Sequence, residues 1–401
     1  MAKKSGLLLA VLLLIGVSKP AHAGQDQFEI GVLTDLSGPY ATITGSGSVA
    51  AAQMAIDEFG GKVLGKPIKL ISADHQNKPD IGVNIARSWF DTENVHAIFD
   101  VTNSAVALAV AFLAKERNRV VAFSGASTAE LTGKACSETT TQWAYDTYSL
   151  VNGTVKPLVK QGDSTWYFIA LDAAGGRAIE QAATRSILAA GGKVLGSVHH
   201  PLNTPDFSSF LLQAQASGAK VVALANAGAD LVNTIKQARE FGLTKNGTKL
   251  VGTFFLINDV HALGLQAAQG SVLTEDYYWD LDDASRAWDK RFRAIHGAPA
   301  NMLQAGVYDA VFHYLKAVKK AGTDDGKTVS AIMKELPVND DLLKNVKIRS
   351  DGRVMRDVYT FQVKTPSESK GPWDYYRHIG TVKANDAYLP LSESECPLVH
   401  K

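Results

Sequence analysis

Short apolar runs rich in β-branched residues alternate with helix-patterned segments from residue 30 to residue 241, and this alternation restricts the chain to α/β folds built on parallel sheets. The first unit shows the rule. Residues 30–33 (Ile-Gly-Val-Leu) read as a buried parallel strand, and Ser37-Gly38-Pro39 breaks it. After Gly47 the pattern turns helical, with Val49, Met54, Ala55 and Ile56 facing a sheet, until Gly60-Gly61 stops it. The intervening loop, with Tyr40 at its end, falls where open α/β sheets bind ligands, at the carboxyl end of a strand.

The same unit recurs. Strands are predicted over 68–73, 96–101 and 119–123, with helices from Pro79 to about 90 and over 105–116. The rhythm restarts with a helix over 147–160, then strands over 165–171, 194–199 and 220–225 and helices over 177–190, 207–216 and 231–241. Two consecutive α/β sets imply two lobes of similar architecture rather than one very wide sheet. In the last third, strands are expected over 250–255, 271–274, 346–348, 354–363 and 373–382, and helices over 284–295, 305–320 and 329–336. That remainder is too small for a third domain of the same kind. It is expected to complete both lobes, with the chain crossing between them more than once.

The N-terminus reads as a targeting segment. Lys3-Lys4, an apolar run over 7–17 and Ala21-His22-Ala23 match a secretory signal peptide cleaved after Ala23. The run is too short to span a bilayer, so the mature chain is expected to be exported and soluble. The 378 residues beyond Ala23 are long enough for two cores. A formal charge of +1, with no basic run interleaved with aromatics, argues against nucleic acid as a partner. The two cysteines, Cys136 and Cys396, are too few for a thiolate metal site and too far apart for a redox pair. In an exported chain they are expected to form one disulfide that pins the C-terminal tail.

Catalytic and cofactor motifs fare poorly. Gly45-Ser46-Gly47-Ser48-Val49-Ala50, with Asp74 beyond it, resembles a dinucleotide fingerprint, but the first glycine should directly follow the strand, and here a long loop intervenes. It reads instead as a helix start that needs close packing. His199-His200 cannot both face one metal from a strand, and His75, His261, His296 and His313 are isolated. No catalytic set, metal site or cofactor is expected. What remains are small polar residues at successive strand ends: Ser37, Asn103-Ser104, Ser124, Ser127-Thr128 and Asn226. Each alone is explained by helix capping, whereas together, at one sheet edge, they suit an anion such as a carboxylate. Tyr40, Tyr277, Tyr278, Trp279 and Tyr308 are candidates for apolar walls.

At this point the chain resembles the type I periplasmic solute-binding proteins of ABC transporters, in the leucine/isoleucine/valine-binding group. The resemblance rests on Ile30-Gly31-Val32, Leu36-Ser37-Gly38-Pro39, Ala55-Ile56-Asp57-Glu58 and Gly61 with Leu64-Gly65-Lys66. It extends to Ser124-Gly125-Ala126, Glu130-Leu131-Thr132 and Gln237-Ala238-Arg239-Glu240 with Gly242. It implies two Rossmann-like lobes with parallel sheets flanked by helices, joined by three crossover hinges. The expected division is 27–145 plus 277–353, 146–276 plus 354–390, and a tail over 391–401. It also implies a periplasmic monomer that closes on a small-molecule ligand and delivers it to an inner-membrane ABC permease. By position, Asn103 and Ser104 match the first carboxylate-binding turn, and Ala126, Ser127 and Thr128 the second. Asn226 and Ala227 match a ligand-facing turn of the second lobe, and Tyr40 and Tyr308 are further candidates.

Two departures from that group matter. Amino-acid binders hold the ammonium with an acid in the second lobe, but the matching Thr253-Phe254-Phe255-Leu256 has none. Where relatives carry an aromatic residue, this chain reads Leu171-Asp172-Ala173-Ala174-Gly175-Gly176. Both point to an organic or aromatic carboxylate rather than an amino acid, unless Asp230, Asp259 or Asp276 serves the ammonium. An exported α/β enzyme or a ligand-sensing module are the competing classes, disfavoured by the missing catalytic set and the missing membrane or signalling segment.

Overall fold

In the computed structural model, which describes residues 27–399, two parallel sheets stand side by side with helices on both faces. The signal peptide expected over residues 1–23 lies outside the described residues. The first half of the chain runs β1 (Phe28–Thr34), α1 (Gly45–Phe59), β2 (Lys62–Val63), β3 (Lys66–Asp74), α2 (Pro79–Asp91), β4 (Ala97–Asp100), α3 (Ser104–Arg117), β5 (Val120–Phe123) and β6 (Thr140–Gln142). These strands form one sheet in the order β2-β3-β1-β4-β5-β6. Its pairings are parallel except for the β2/β3 hairpin, whose turn holds Leu64 and Gly65 at φ 50 and 77. β1 is central, so its apolar run is covered on both faces, as a near-continuous hydrophobic strand requires.

The chain then crosses to a second set: α4 (Thr147–Lys160), β7 (Thr165–Leu171), α5 (Ala174–Ala189), β8 (Lys193–His200), α6 (Ser208–Ala216), β9 (Val221–Ala225), α7 (Gly228–Glu240) and β10 (Lys249–Gly252). Its strands pair in parallel in the order β10-β9-β7-β8. The short helices α8 (Ile257–Leu263) and α9 (Leu265–Ala268) lead to β11 (Val272–Glu275). Three helices then return to the first sheet: α10 (Asp283–His296), α11 (Met302–Ala321) and α12 (Gly326–Glu335). α11 is buried along nearly its whole length between α1 and β4. The chain crosses back to β12 (Val358–Val363) and β13 (Tyr376–Val382), which form an antiparallel sheet with β11, and ends past α13 (Ala384–Ala387).

The predicted alternation is present, with instructive differences. The strand expected over 250–255 stops at Gly252, because Thr253 turns back to donate its hydroxyl to the Leu224 carbonyl at 2.8 Å. The strand expected at 346–348 reduces to isolated bridges, Val338 with Val346 and Ile348 with Val354, and the one expected over 354–363 begins only at Val358. There the chain carries two buried arginines whose side chains bind other crossing segments. Arg353 donates to the Ala144 carbonyl and, at 3.1 Å, to that of Tyr145. Arg356 lies 3.0 Å from Asp309 and 3.2 Å from Asp276. Cys136 and Cys396 are bonded, with Cα atoms 5.6 Å apart, and they fasten the end of the chain beside β6 as expected. No helix among the described residues is long and apolar enough to cross a membrane.

Candidate ligand-binding site

The carboxyl ends of β1, β4 and β5 face those of β7 and β9, and a cavity lies between them. It leaves about 50 Å3 for the centre of a water-sized sphere, a space for a small solute held by both sheets. A wider hollow of about 600 Å3 opens beside Asp276 and Arg356, but it lies by the antiparallel strands β11 and β12 and not at the carboxyl ends of the parallel sheets.

From the first sheet come Tyr40, Ile43, Thr102, Asn103, Ser104, Gly125, Ser127 and Tyr145. A left-handed kink at Asp100 (φ 79) and Val101 (φ 55) swings the chain from β4 into Thr102-Asn103-Ser104. Positive φ at a β-branched valine is costly and marks a turn whose shape the surrounding fold dictates. The Asp100 carboxyl beneath it is fully buried, and burial pushes its pKa up to about 6. Asn103 caps α3, its Oδ1 accepting from the N–H groups of Ala105 and Val106 at 2.9 and 3.3 Å. Ser104 and Ser127 bring their hydroxyls to 3.2 Å of each other, and Ser104 Oγ also accepts the Thr128 N–H at 3.3 Å. Tyr40 closes a loop wound on Asp35, whose carboxylate accepts the N–H groups of Gly38 at 2.7 Å and Tyr40 at 2.9 Å.

From the second sheet come Leu171, Ala173, Gly175, Gly176, Ile179, Ala225, Asn226, Ala227 and Phe254. α5 and α7 begin here with Ala173 and Ala227 at their N-caps, and neither has a side-chain cap. No side chain therefore takes their first-turn N–H groups, and in α7 that of Ala229 goes to the Pro39 carbonyl at 3.3 Å. Gly175 sits against the serines: a Cβ there would lie 3.1 Å from Ser127 Oγ and 3.2 Å from Ser104 Oγ. The Phe254 and Tyr145 rings stack across the cavity with centroids 4.7 Å apart. Burial raises the pKa of both Tyr40 and Tyr145, so the two phenols stay protonated. No charged side chain lines the cavity among the described residues. What it offers is hydroxyls, the amides of Asn103 and Asn226, aromatic faces and helix N-termini, a set suited to a single anionic group on an apolar body.

Of the ten residues singled out from sequence, Tyr40, Asn103, Ser104, Ser127, Asn226 and Ala227 line this cavity. The other four do not. Ser124 turns its hydroxyl towards α11, where a Cβ on Gly306 would meet it at 3.4 Å. Ala126 is packed in the core, and its carbonyl accepts from Gln142 Nε2 at 3.0 Å. The Thr128 hydroxyl accepts the Glu130 N–H at 3.3 Å, capping a short helical turn. Tyr308 is in the core between Trp288 and Phe312, and its hydroxyl donates to Glu58 at 2.6 Å. Tyr277 and Tyr278 are core residues, and the Trp279 indole N–H donates to the Trp373 carbonyl at 2.8 Å. Ser37, placed at the same edge, donates to Asp74 at 2.5 Å. Thr102 and Tyr145 escaped the sequence reading. Thr102 adjoins the Asn103-Ser104 pair and was within reach of it, but nothing local marks Tyr145.

The three acids held in reserve for an ammonium are all engaged elsewhere. Asp230 accepts the N–H groups of Asn203 and Thr204 at 3.0 and 3.1 Å, Asp259 accepts the Leu256 N–H at 3.0 Å, and Asp276 pairs with Arg356.

The chain matches the model of a protein family described as periplasmic binding protein over residues 27–372. It is 47% identical to a periplasmic binding protein of Burkholderia mallei whose crystal structure superposes with a TM-score of 0.91, covering 94% of this chain and all of that one. A branched chain amino acid ABC transporter periplasmic ligand-binding protein of Burkholderia xenovorans LB400 is 42% identical, with a TM-score of 0.82 over 93% of this chain and 100% of its own. The fold alone is shared with an ABC transporter solute binding protein of R. palustris in complex with benzoate, at 19% identity and a TM-score of 0.81 over 93% of this chain and 100% of its own.

Proposed function

The chain belongs to the family of periplasmic binding proteins, and from that premise we propose that it captures a small carboxylate, an organic or aromatic acid, and hands it unchanged to an inner-membrane ABC permease. Members of this family bind solutes and do not transform them. The reading divides the chain into lobes over 27–145 plus 277–353 and 146–276 plus 354–390, with a tail over 391–401, and takes the monomer as the working unit.

One observation carries the ligand class. The uncapped N-termini of α5 and α7 and the Ser104–Ser127 hydroxyl pair at the start of α3 converge on a cavity with no charged wall. Helix N-termini and hydroxyls stabilise an anion without a cation beside it. An ammonium in the same space has no carboxylate to meet, and leaving it unpaired is costly. The stacked Tyr145 and Phe254 rings, with Ile43, Leu171 and Ile179, supply the apolar surface for the body of the acid. Because the walls come from both sheets, the ligand favours the arrangement in which they meet. Contacts at the rim act in the same direction: the Ala229 N–H reaches the Pro39 carbonyl at 3.3 Å, and Asn258 Nδ2 reaches the Thr42 carbonyl at 3.0 Å.

The competing ligand class is a branched-chain amino acid, on the name of the Burkholderia xenovorans relative. A thermal-shift screen over leucine-type amino acids, aliphatic acids and aromatic acids separates the two. A true ligand at a hundredfold excess over Kd adds about 2.7 kcal/mol of apparent stability. Stabilisation by leucine with none from any plain acid would overturn the carboxylate reading, and a chemically altered ligand recovered after incubation would overturn transport.

A further inference from the structure

Asn226 closes β9 at the cavity wall, and its amide is held from behind by two groups that both require a donor. Nδ2 lies 3.1 Å from His200 Nε2 and 3.1 Å from Thr234 Oγ1. His200 Nδ1 is 2.9 Å from the Pro201 carbonyl, which only accepts, so Nδ1 carries the ring proton and Nε2 presents a lone pair. Burial lowers the His200 pKa and keeps the ring neutral. The Thr234 hydroxyl directs its proton to the Asp230 carbonyl at 2.6 Å, so it too faces Asn226 as an acceptor. The two protons on Nδ2 satisfy both neighbours. Flipping the amide would set its oxygen against two acceptors, so the orientation is determined by its partners.

The consequence falls on Oδ1. Asn226 is only 3% exposed, it lines the cavity, and Oδ1 has no hydrogen-bond partner among the described residues. A buried acceptor left unpaired is destabilising and is satisfied by whatever occupies the site. An ammonium is a poor occupant, because one amide oxygen does not offset its buried charge and Asp230 behind it is taken by the N–H groups of Asn203 and Thr204.

We propose that Asn226 Oδ1, aimed by His200 and Thr234, accepts a hydrogen bond from a neutral hydroxyl on the ligand, so that the site selects a hydroxy-carboxylate over the same acid without the hydroxyl. This rests on the carboxylate reading above. Asn226 touches the ligand and sets specificity, whereas His200 and Thr234 are positioning residues.

The test is calorimetry on the full mature chain with benzoate, its three monohydroxy isomers, the matching methoxy acids and leucine. One hydroxy isomer should bind about 10- to 100-fold more tightly than benzoate, and its methoxy counterpart should lose that gain. In Asn226→Leu the ratio of hydroxy acid to benzoate should fall to near one. Thr234→Val, which leaves the cavity lining intact, should lower the same ratio, a readout that general loosening of the fold does not move selectively. Equal binding of benzoate and all three isomers, or a ratio that survives both substitutions, overturns the Asn226 assignment and leaves the carboxylate reading standing. Binding of leucine, with no acid bound, overturns both, as does a failure of every acid to bind once lactate and propionate stand beside the aromatic acids.

Discussion

Gly228 opens α7 at φ +57, and a Cβ placed on it would lie 2.4 Å from the Pro39 carbonyl oxygen and 3.3 Å from Tyr40 Cδ1. Replacing it with alanine therefore has two separable effects. The left-handed backbone costs an alanine roughly 1 kcal/mol wherever that conformation persists, with or without ligand. The collision with Pro39 arises only when the loop after β1 meets the start of α7, that is, when the two sides of the cavity come together. Relieving a contact that close means displacing the loop and lengthening the Ala229 N–H to Pro39 hydrogen bond, now 3.3 Å. Overpacking of this kind costs about 1–3 kcal/mol, which weakens binding about 5- to 150-fold. Gly228→Ala should thus melt within a few degrees of the parent when free, yet bind the best acid from the screen far less tightly by calorimetry. Small-angle scattering should show less ligand-induced compaction than in the parent. Undiminished affinity in a folded Gly228→Ala protein would refute the view that this contact belongs to the liganded state.

Three further predictions concern the scaffold. Removing the Cys136–Cys396 bond by reduction or by a double serine substitution should cost about 2–5 kcal/mol in urea unfolding, because it frees a closed loop of great length; an unchanged midpoint would contradict this. Arg356→Met leaves the buried carboxyls of Asp276 and Asp309 without their cation and should destabilise by about 3–5 kcal/mol, more at pH 8 than at pH 5 because protonation relieves them; a loss that does not grow with pH would reject the ion pair as its cause. Glu275 is buried against the Tyr376 hydroxyl at 2.7 Å and the Ile257 N–H at 3.1 Å, and burial raises its pKa to about 8. The folded state holds that proton more tightly than the unfolded one, so its stabilisation is full at low pH and drains away as pH rises from about 4.5 to about 8, by up to about 1.4 kcal/mol per pH unit. Glu275→Gln should flatten that stretch of a pH–stability curve, and an identical slope in the variant would show that another group is responsible.

By itself, the sequence determined the α/β alternation, the parallel sheets and the sheet edge on which the cavity opens, because strand and helix periodicity and Gly-Pro breaks act over a few residues. It also located Asn103, Ser104, Ser127 and Asn226 at the cavity, since a polar residue within a few positions of the end of a buried parallel strand stays near one sheet edge. Only the tertiary structure decided which way neighbouring side chains turn there. Ser124 and Ser127 lie three residues apart, yet one faces α11 and the other the cavity, because helices from distant parts of the chain fill the space around them. Tyr308 carries an ordinary helical pattern that cannot announce Glu58 as its partner, and Tyr145 and Phe254 meet across the cavity although more than a hundred residues separate them. The direction of the Asn226 amide follows from a histidine tautomer and a threonine rotor on two other elements. Such choices are made by long-range packing and hydrogen-bond pairing, which no local pattern encodes.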